Sequence, residues 1–269
     1  MPELPEVETV RVTLENEISN EKIIGVDAYY QKIITNETSE FKQKISNQKI
    51  NRIDRMGKYL IFILDRDALI IHLRMEGKFF IKHDEPIEKH EHVVFHFKSG
   101  RNLRYHDVRK FGTITLIPLS DYLNTYPLNQ LGKEPKDIDV DYFYTVLNKK
   151  NIEIKAVLLD QHIIAGLGNI YVDETLFLSH IHPTRLASNI TYDETKWIIQ
   201  AAIQVLDKAT QLGGTTIRSY TSSLGVHGRF QNELNVHMKE NEPCPRCQTN
   251  IIKMKVKGRG TYVCPNCQK

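Results

Sequence analysis

Apolar residues near the start of the chain recur at the three- and four-residue spacing of an amphipathic helix. Leu4, Val7 and Leu14 share one face, so the pattern predicts a helix over residues 5–18. Short runs of apolar and β-branched residues follow, separated by turn signals such as the Asp-Arg-Asp triplet at 65–67. The predicted strands cover residues 23–30, 50–54, 59–64, 69–73, 78–82, 93–97, 102–105 and 113–117. Many short strands at close spacing favour a β-sandwich or barrel.

After residue 121, longer segments with helical periodicity replace the strands. The predicted helices cover residues 139–148, 152–161, 169–179 and 191–212. In the last of these, Trp197, Ala201, Val205 and Ala209 form one apolar stripe. Strands followed by helices predict an α+β, multidomain protein. The predicted domains cover residues 1–130, 131–236 and 237–269.

The composition is that of a soluble globular protein, with 41% apolar and 26% charged residues. No apolar run approaches the length of a membrane span. The first residues are acidic and lack the hydrophobic segment of a secretory signal. We therefore expect a cytoplasmic protein with no membrane partner.

Charge is distributed unevenly along the chain. The net charge is only +3, but residues 238–269 contain seven basic and two acidic side chains and so carry +5, which leaves −2 for the rest. A basic terminal unit on a near-neutral body favours a polyanionic partner such as nucleic acid. A solvated basic hairpin is the alternative.

All four cysteines lie in this terminal unit. They form two Cys-x-x-Cys pairs separated by sixteen residues: Cys244, Cys247, Cys264 and Cys267. In a cytoplasmic protein, this spacing predicts one tetrahedral, structural zinc site rather than disulfides. Residues 251–263 alternate like a hairpin that turns at Gly258-Arg259-Gly260. Arg259 is then exposed at the tip, as a ligand contact or as an ordinary turn arginine.

The first six residues allow a particular covalent chemistry. If Met1 is removed, the chain begins with the secondary amine of Pro2, and an α-amino group titrates near ~8. Such an amine forms Schiff bases with aldehyde-like carbons, and Glu3 beside it can move the protons that this requires. The alternative is a helix start, with Pro5 in the first turn and Glu6 facing the positive helix end. These six residues alone favour the helix start.

A glycine-containing loop precedes the predicted helix 169–179. Gly166 and Gly168 allow close backbone approach, and the amides that open the helix can bind a phosphate, with the Asn169 side chain as a further donor. A dinucleotide-binding loop is the alternative, but no strand precedes this one and the full fingerprint is absent.

Together these features resemble the bacterial formamidopyrimidine-DNA glycosylase family across the whole chain. The motifs are Pro2-Glu3-Leu4-Pro5-Glu6-Val7-Glu8-Thr9, then Gly166-Leu167-Gly168-Asn169-Ile170-Tyr171-Val172-Asp173-Glu174, then the four-cysteine ribbon. The resemblance implies an N-terminal β-sandwich with an N-terminal helix, a helix-two-turn-helix domain and a C-terminal zinc ribbon hairpin, with DNA held between the lobes. It also implies base excision repair: excision of 8-oxoguanine and formamidopyrimidines from duplex DNA, then strand cleavage at the abasic site by β,δ-elimination.

The resemblance also assigns catalytic roles. Pro2 is expected to be the Schiff-base nucleophile and Glu3 the proton donor. Lys58 is expected to donate a proton in β-elimination or to contact a phosphate or the damaged base. Arg259 is expected to donate a proton in δ-elimination or to contact a phosphate.

Further residues match expected DNA contacts. His72, Lys155 and Asn169 resemble phosphate contacts, although a histidine in an apolar strand is more often part of the core. Glu6 is expected to line the pocket, and capping of the helix explains it equally well. The residues expected to fill the space left by a flipped nucleotide are Met75, Arg109 and Phe111.

Two further segments carry recognisable patterns. Residues 219–230 resemble the loop that caps an extruded 8-oxoguanine, and their glycines suit a segment that orders on binding. His90-Glu91-His92 suggests a second metal, but the spacing lacks a third ligand and favours a structural role. We expect a monomer with one structural Zn²⁺, no organic cofactor, and double-stranded DNA carrying an oxidised base opposite cytosine as its partner.

Two other functions remain open from the sequence. An endonuclease VIII-type enzyme would remove oxidised pyrimidines; Leu4 and the long loop after Gly214 favour the purine-specific branch instead. A non-catalytic zinc-ribbon DNA-binding protein would use the ribbon and the helical domain, but it would have no need for a terminal proline amine.

Overall fold

The chain divides into two units in the computed structural model, which describes residues 1–215 and 228–269. The first unit comprises residues 1–129 and 213–228, and the second comprises residues 130–212 and 229–269. Most of the predicted capping loop, residues 219–227, lies outside the described residues. No helix among the described residues combines the length and the apolar character needed to cross a bilayer.

Two four-stranded antiparallel sheets form the body of the first unit, which confirms the predicted β-sandwich. Their strand orders are β1-β6-β7-β5 and β2-β3-β4-β8. The elements are α1 (Leu4–Ile18), β1 (Ile23–Ala28), α2 (Thr38–Ile45), β2 (Arg52–Met56), β3 (Tyr59–Ile63), β4 (Asp67–His72), β5 (Lys78–Lys82), β6 (Glu91–Phe97), β7 (Asn102–His106) and β8 (Thr113–Pro118). Apolar side chains of both sheets, α1 and α2 share one core. Every residue of β4 is buried, which explains its continuous apolar run.

The sequence pattern missed α2. This helix buries only Phe41 and Ile45, so it offers too few apolar positions for a periodicity to be recognised. The Glu37 side chain caps its first turn by accepting the backbone N–H groups of Ser39 and Glu40.

Four α-helices and a hairpin are the main regular elements described in the second unit, besides short 3-10 helices. They are α3 (Val140–Asn148), α4 (Ile154–Leu159), α5 (Asn169–Leu178), α6 (Tyr192–Gln211), β9 (Ile252–Val256) and β10 (Arg259–Val263). The stripe predicted on α6 is correct for Ala201, Val205 and Ala209 but wrong for Trp197, whose side chain is half exposed. A four-residue step overshoots one turn by about 40°, so a stripe extended over three steps rotates out of the core.

The ribbon hairpin turns one residue earlier than predicted. Lys257 and Gly258 form a two-residue loop with φ of 46° and 76°, the left-handed conformation that such a turn requires. Arg259 pairs with Val256. Arg259 is therefore the first residue of β10 rather than the tip of the loop, and it remains exposed.

Candidate active site and metal centre

The start of the chain is fixed by its own helix. Pro2 and Glu3 are both buried, and Glu3 is the residue that precedes the first turn of α1. The Glu3 backbone N–H donates to Glu6 Oε2 at 2.9 Å, one half of a capping box. Pro5 occupies the first turn, where no backbone N–H is needed. The local sequence therefore holds Pro2 and Glu3 in a defined position.

Glu6 connects this terminus to a distant segment of the same unit. Its Oε1 accepts the Thr215 backbone N–H at 2.7 Å and the Thr215 hydroxyl at 3.0 Å. Gly214 adopts φ of 76°, and a Cβ there would lie 2.7 Å from the Glu6 carboxylate. The geometry agrees with the capping interpretation of Glu6, and its contact with DNA stays a prediction.

Lys58 lies in the tight turn between β2 and β3. It is buried, and Gly57 before it adopts φ of 56°. Arg55 joins this turn to α1: its Nη1 donates to Gly57 O at 2.9 Å and its Nε to Glu8 Oε2 at 2.8 Å. Burial would raise the pKa of Glu8, but hydrogen bonds from Arg11 and Arg55 hold it below its usual value.

His72 is a neutral, buried side chain at the end of β4. Burial, reinforced by the charges of Arg74 and Lys58, lowers its pKa to about 3. The Arg74 backbone N–H donates to His72 Nδ1 at 2.9 Å, so the ring proton resides on Nε2. The ring also packs edge-on against Tyr59. Any contact of His72 with a phosphate would be a neutral N–H donation.

Asp107, which the sequence analysis did not single out, organises the loop that carries two of the predicted space-filling residues. Its fully buried carboxylate accepts the backbone N–H groups of Arg109 at 3.0 Å, Phe111 at 3.0 Å and Gly112 at 2.9 Å. An aspartate that follows a strand and precedes a glycine-ended loop is the local signal for such a turn. The Arg109 guanidinium lies 4.9 Å from the centre of the exposed Phe111 ring.

The loop that carries Met75 also packs near Asp107, against the Tyr105 hydroxyl. The Tyr105 hydroxyl, which donates to Asp107, would overlap a Cβ built on either Gly77 or Gly112. Glycine is required at both positions because the two loops approach this hydroxyl so closely. Met75 itself is half-buried.

In the second unit, the glycine-containing loop positions Asn169 as the first residue of α5. Gln161 braces the loop: its Oε1 accepts the Gly166 N–H at 3.0 Å and its Nε2 donates to Leu167 O at 2.8 Å. Asn169 Nδ2 donates to Gly260 O at 2.9 Å. The buried Asn169 Oδ1 has no hydrogen-bond partner among the described residues.

Lys155 is fully buried, unlike a lysine that contacts solvent. Its ammonium donates to Asp173 Oδ1 at 2.6 Å, Thr261 Oγ1 at 2.8 Å and Gly260 O at 3.3 Å. The structure thus brings Lys155 and Asn169 to the same carbonyl at the start of β10. A phosphate contact by Lys155 stays a prediction, and it would require this ammonium to change partners.

The four cysteines form the predicted metal centre. Their Sγ atoms all lie within 4.8 Å of one another. Two of the distances are 3.9 Å (Cys244 to Cys267) and 3.5 Å (Cys247 to Cys264). Tetrahedral zinc with Zn–S bonds near 2.3 Å places sulfurs about 3.8 Å apart, so the arrangement fits one structural zinc ion. The cysteines pack with only a few apolar residues, among them Phe177, Val236 and Ile251.

His90-Glu91-His92 has a structural role, as expected. Glu91 pairs with the buried Arg104 at 2.9 Å and with Lys82 at 2.7 Å, and His92 Nε2 bonds to Asp107 O at 2.9 Å. In the part of the chain that the structure describes, the four cysteines form the only group of at least three His, Cys, Asp or Glu side chains close enough to share a metal ion.

Three family models match the chain in order. The model described as formamidopyrimidine-DNA glycosylase N-terminal domain matches residues 1–114, the formamidopyrimidine-DNA glycosylase H2TH domain matches residues 131–221, and the zinc finger found in FPG and IleRS matches residues 241–269. These matches agree with the β-rich, helical and ribbon parts of the fold.

Full-length relatives extend this similarity. The formamidopyrimidine-DNA glycosylases of Bacillus cereus and Oceanobacillus iheyensis are 48% and 45% identical, over 100% of this chain and 99% and 98% of their own. A mutant Lactococcus lactis FPG in complex with a Fapy-dG containing DNA superposes with a TM-score of 0.95 at 44% identity, and the same protein with an abasic site containing DNA with a TM-score of 0.94 at 44% identity. Both comparisons cover 100% of each chain.

Proposed function

The chain belongs to the formamidopyrimidine-DNA glycosylase family, and we propose that it excises 8-oxoguanine and formamidopyrimidines from duplex DNA through a Schiff base at Pro2. It is a base excision repair glycosylase with one structural zinc. The observation that carries the catalytic proposal is the buried terminus, in which the Glu6 carboxylate fixes Glu3 beside Pro2.

The chemistry requires a free nitrogen on Pro2, so Met1 has to be removed first. The proline nitrogen attacks C1′ of the damaged nucleotide, the N-glycosidic bond breaks, and the base leaves with the bonding electrons and acquires a proton. Glu3 delivers protons at the sugar as its ring opens. The resulting iminium withdraws electrons, so loss of a C2′ proton expels the 3′ phosphate, and a further elimination expels the 5′ phosphate.

Cationic and polar side chains serve these eliminations. Lys58 donates a proton in β-elimination or contacts a phosphate or the damaged base. Arg259 donates a proton in δ-elimination or contacts a phosphate. Asn169 and the neutral Nε2–H of His72 donate to phosphate oxygens. A contact by Lys155 or Glu6 with DNA would require either side chain to give up the bonds that it makes within the protein.

The base opposite the lesion is recognised by the loops that meet at Tyr105. Met75 and Phe111 occupy the space left in the stack, because unstacking costs a few kcal/mol and must be compensated. Arg109 donates to the orphaned partner base. Cytosine is the preferred partner because its Watson–Crick edge, unpaired once the lesion is flipped out, offers N3 and O2 as acceptors to a guanidinium.

Several general properties complete the proposal. The enzyme acts as a monomer in the cytoplasm, on nucleoid DNA, without an organic cofactor. Its sandwich, helix-two-turn-helix and ribbon domains cover residues 1–130, 131–236 and 237–269. Analytical ultracentrifugation at increasing protein concentration tests whether the protein is a monomer. A molecular mass that rises with concentration would contradict this.

Borohydride trapping tests the covalent step. Duplex DNA with 8-oxoguanine opposite cytosine should yield a protein–DNA adduct that maps to the N-terminal peptide, and N-terminal acetylation should abolish it. Lys58→Ala serves as the control, because trapping should survive without this amine. An adduct that maps to Lys58 or Lys155 would refute the assignment of Pro2.

Substrate comparison separates this proposal from an endonuclease VIII-type activity. The enzyme should cleave a duplex carrying 8-oxoguanine at least ~10-fold faster than one carrying thymine glycol, a difference of about 1.4 kcal/mol in transition-state free energy. A reversed ratio would assign the enzyme to oxidised pyrimidines.

A further inference from the structure

Asp173 lies at the centre of a buried polar cluster that the reaction chemistry does not use. It follows Asn169 by four residues on α5, so both side chains lie on one face of the helix. Its Oδ1 accepts from Lys155 at 2.6 Å, and its Oδ2 pairs with His237 Nδ1 at 2.8 Å and accepts the Tyr262 N–H at 3.4 Å. One carboxylate therefore connects α4, the segment before the ribbon, and β10.

The cluster holds the backbone at the start of β10 at successive positions. Lys155 and Asn169 both donate to Gly260 O. Thr261 Oγ1 accepts from Lys155 at 2.8 Å and itself lies 3.0 Å from Arg259 O, to which it donates. All of these hydrogen bonds lie inside the second unit. The series ends at the backbone of Arg259, whose side chain is exposed.

The neighbouring Glu174 secures the other side of the cluster. Its buried carboxylate accepts the backbone N–H groups of Asn235, Val236 and His237, each at 2.9 Å, as well as the Asn235 side-chain amide at 2.8 Å. The His237 ring, held by Asp173, packs at 5.0 Å against the Tyr262 ring. His237 is thus fixed at both its backbone and its ring.

The buried ion pair between Asp173 and Lys155 is not explained by a gain in folding stability. Asp173 and Lys155 are both fully buried, and the desolvation of two charges commonly cancels their attraction. The pair instead selects one geometry for the groups around it. Catalytic groups need to be held within about 0.5 Å of their working position, and a misplacement of about 1 Å can cost 10²-fold in rate.

We propose that Asp173 is a positioning residue, which acts through Lys155 and the backbone of residues 259–262 to hold Arg259 in register with Asn169. The proposal rests on the proposed function, because it assumes that Arg259 and Asn169 contact the DNA. Asp173 itself is buried, so it acts through the groups that it holds. Its loss therefore impairs the steps that use Arg259 and spares the attack by Pro2.

The test compares two readouts of the zinc-loaded, full-length protein. In Asp173→Asn, the Lys155 ammonium loses its counter-charge. The rate of δ-elimination on abasic-site DNA should fall ~10- to 100-fold, while borohydride trapping at Pro2 changes less than ~3-fold. Asp207→Asn, an exposed aspartate on α6, is the matched control and should change neither. A parallel fall in both readouts would indicate a merely structural role and overturn the proposal.

A second variant keeps the test valid if Asp173→Asn does not fold. The double variant Lys155→Met, Asp173→Leu removes both charges, and apolar replacement of a buried pair commonly preserves stability. We expect a normal melting temperature but no recovery of δ-elimination, because Thr261 Oγ1 loses the Lys155 donor and Gly260 O keeps only the bond from Asn169. Recovery of δ-elimination together with stability would overturn the proposal.

Combination with Arg259→Ala separates the positioning role of Asp173 from the proposed function of Arg259. Arg259→Ala alone should slow δ-elimination, and adding Asp173→Asn should slow it no further, because both changes act on one guanidinium. Independent, additive losses would overturn the positioning role alone. An Arg259→Ala protein with unchanged δ-elimination and DNA affinity would instead refute the proposed function of Arg259, and the inference with it.

Discussion

At the scale of single residues, buried carboxylates organise the segments that carry the candidate site. Glu6, Asp107 and Glu174 each accept two or more N–H groups from loops or termini. Buried carboxylates are uncommon unless they are paired or hydrogen-bonded, so each marks a segment whose conformation is fixed. In the sequence, however, a single acidic residue in a helix or a loop looks like an exposed one.

Asp107 gives the most direct test of this role. Asp107→Asn should lower the free energy of unfolding by about 2 kcal/mol, because an amide replaces a charged acceptor that serves three backbone N–H groups. The loop of Arg109 and Phe111 should also lose its fixed shape. Cleavage of 8-oxoguanine opposite cytosine and opposite adenine should then differ less than in the parent protein.

Thermal melting and the two cleavage rates check this prediction. Asp84→Asn, an exposed aspartate of the same unit, is the control and should match the parent protein. Unchanged discrimination between the two opposite bases in a destabilised Asp107→Asn protein would restrict Asp107 to a role in folding.

The low pKa of His72 predicts a pH dependence of stability. The folded protein resists protonation of this ring down to about pH 3, whereas the unfolded chain protonates it near ~6.5. The unfolded state therefore binds more protons between these values, so His72 lowers stability as the pH falls, by up to about 1.4 kcal/mol per pH unit. At pH 8 both states are neutral and the effect vanishes.

His72→Asn removes this contribution while retaining an acceptor for the Arg74 N–H. Melting temperatures measured from pH 8 down to pH 4 should fall less steeply for the variant than for the parent protein. Equal slopes would mean that the His72 ring takes up its proton in the folded state.

At the scale of elements, the sequence predicts what periodicity and spacing encode. The strands, the helices α1 and α3 to α6, and the four-cysteine ribbon follow from apolar spacing and cysteine pairs. What it misses is the short helix α2 and the one-residue shift of Arg259. The roles of Asp107 and Asp173 depend on partners that only the fold brings together.

The ribbon is the element for which a metal is decisive. Its apolar cluster is too small to stabilise a two-stranded hairpin by itself, so metal binding supplies the folding free energy of β9 and β10. Chelation of zinc should expose the hairpin to proteolysis within residues 244–267 and weaken DNA binding at least ~10-fold.

The first unit provides the internal control, because its core contains no cysteine. Its melting transition should survive chelation, and readdition of zinc should restore both protection and DNA affinity. A ribbon that stays protected without metal would show that its packing alone suffices.

At the scale of the whole molecule, long-range contacts decide where the candidate residues lie. Glu6 binds Thr215 across 209 residues, and Lys155 binds Thr261 across 106. Such pairs leave no periodic signal in one sequence. The resemblance to a family named the residues, but it did not indicate that Lys155 is internally bound or that Asp173 supports it.

The charge of the whole chain predicts how salt acts on DNA binding. With a net charge of only +3, general attraction to DNA is weak, and the +5 carried by residues 238–269 dominates it. Each phosphate that the protein neutralises contributes about −0.9 to the slope of log K against log salt concentration. Arg259 is exposed at the start of β10 and available for such a contact.

Arg259→Ala should therefore weaken binding of damaged duplex and make this slope shallower by about 0.9, the share of one phosphate. Arg52→Ala is the matched control, since Arg52 is an exposed arginine that pairs with Asp54 in the first unit. Binding isotherms at several salt concentrations distinguish the outcomes. A weaker but parallel line for Arg259→Ala would mean that its guanidinium meets a base or the protein itself, because only a neutralised phosphate releases a counterion.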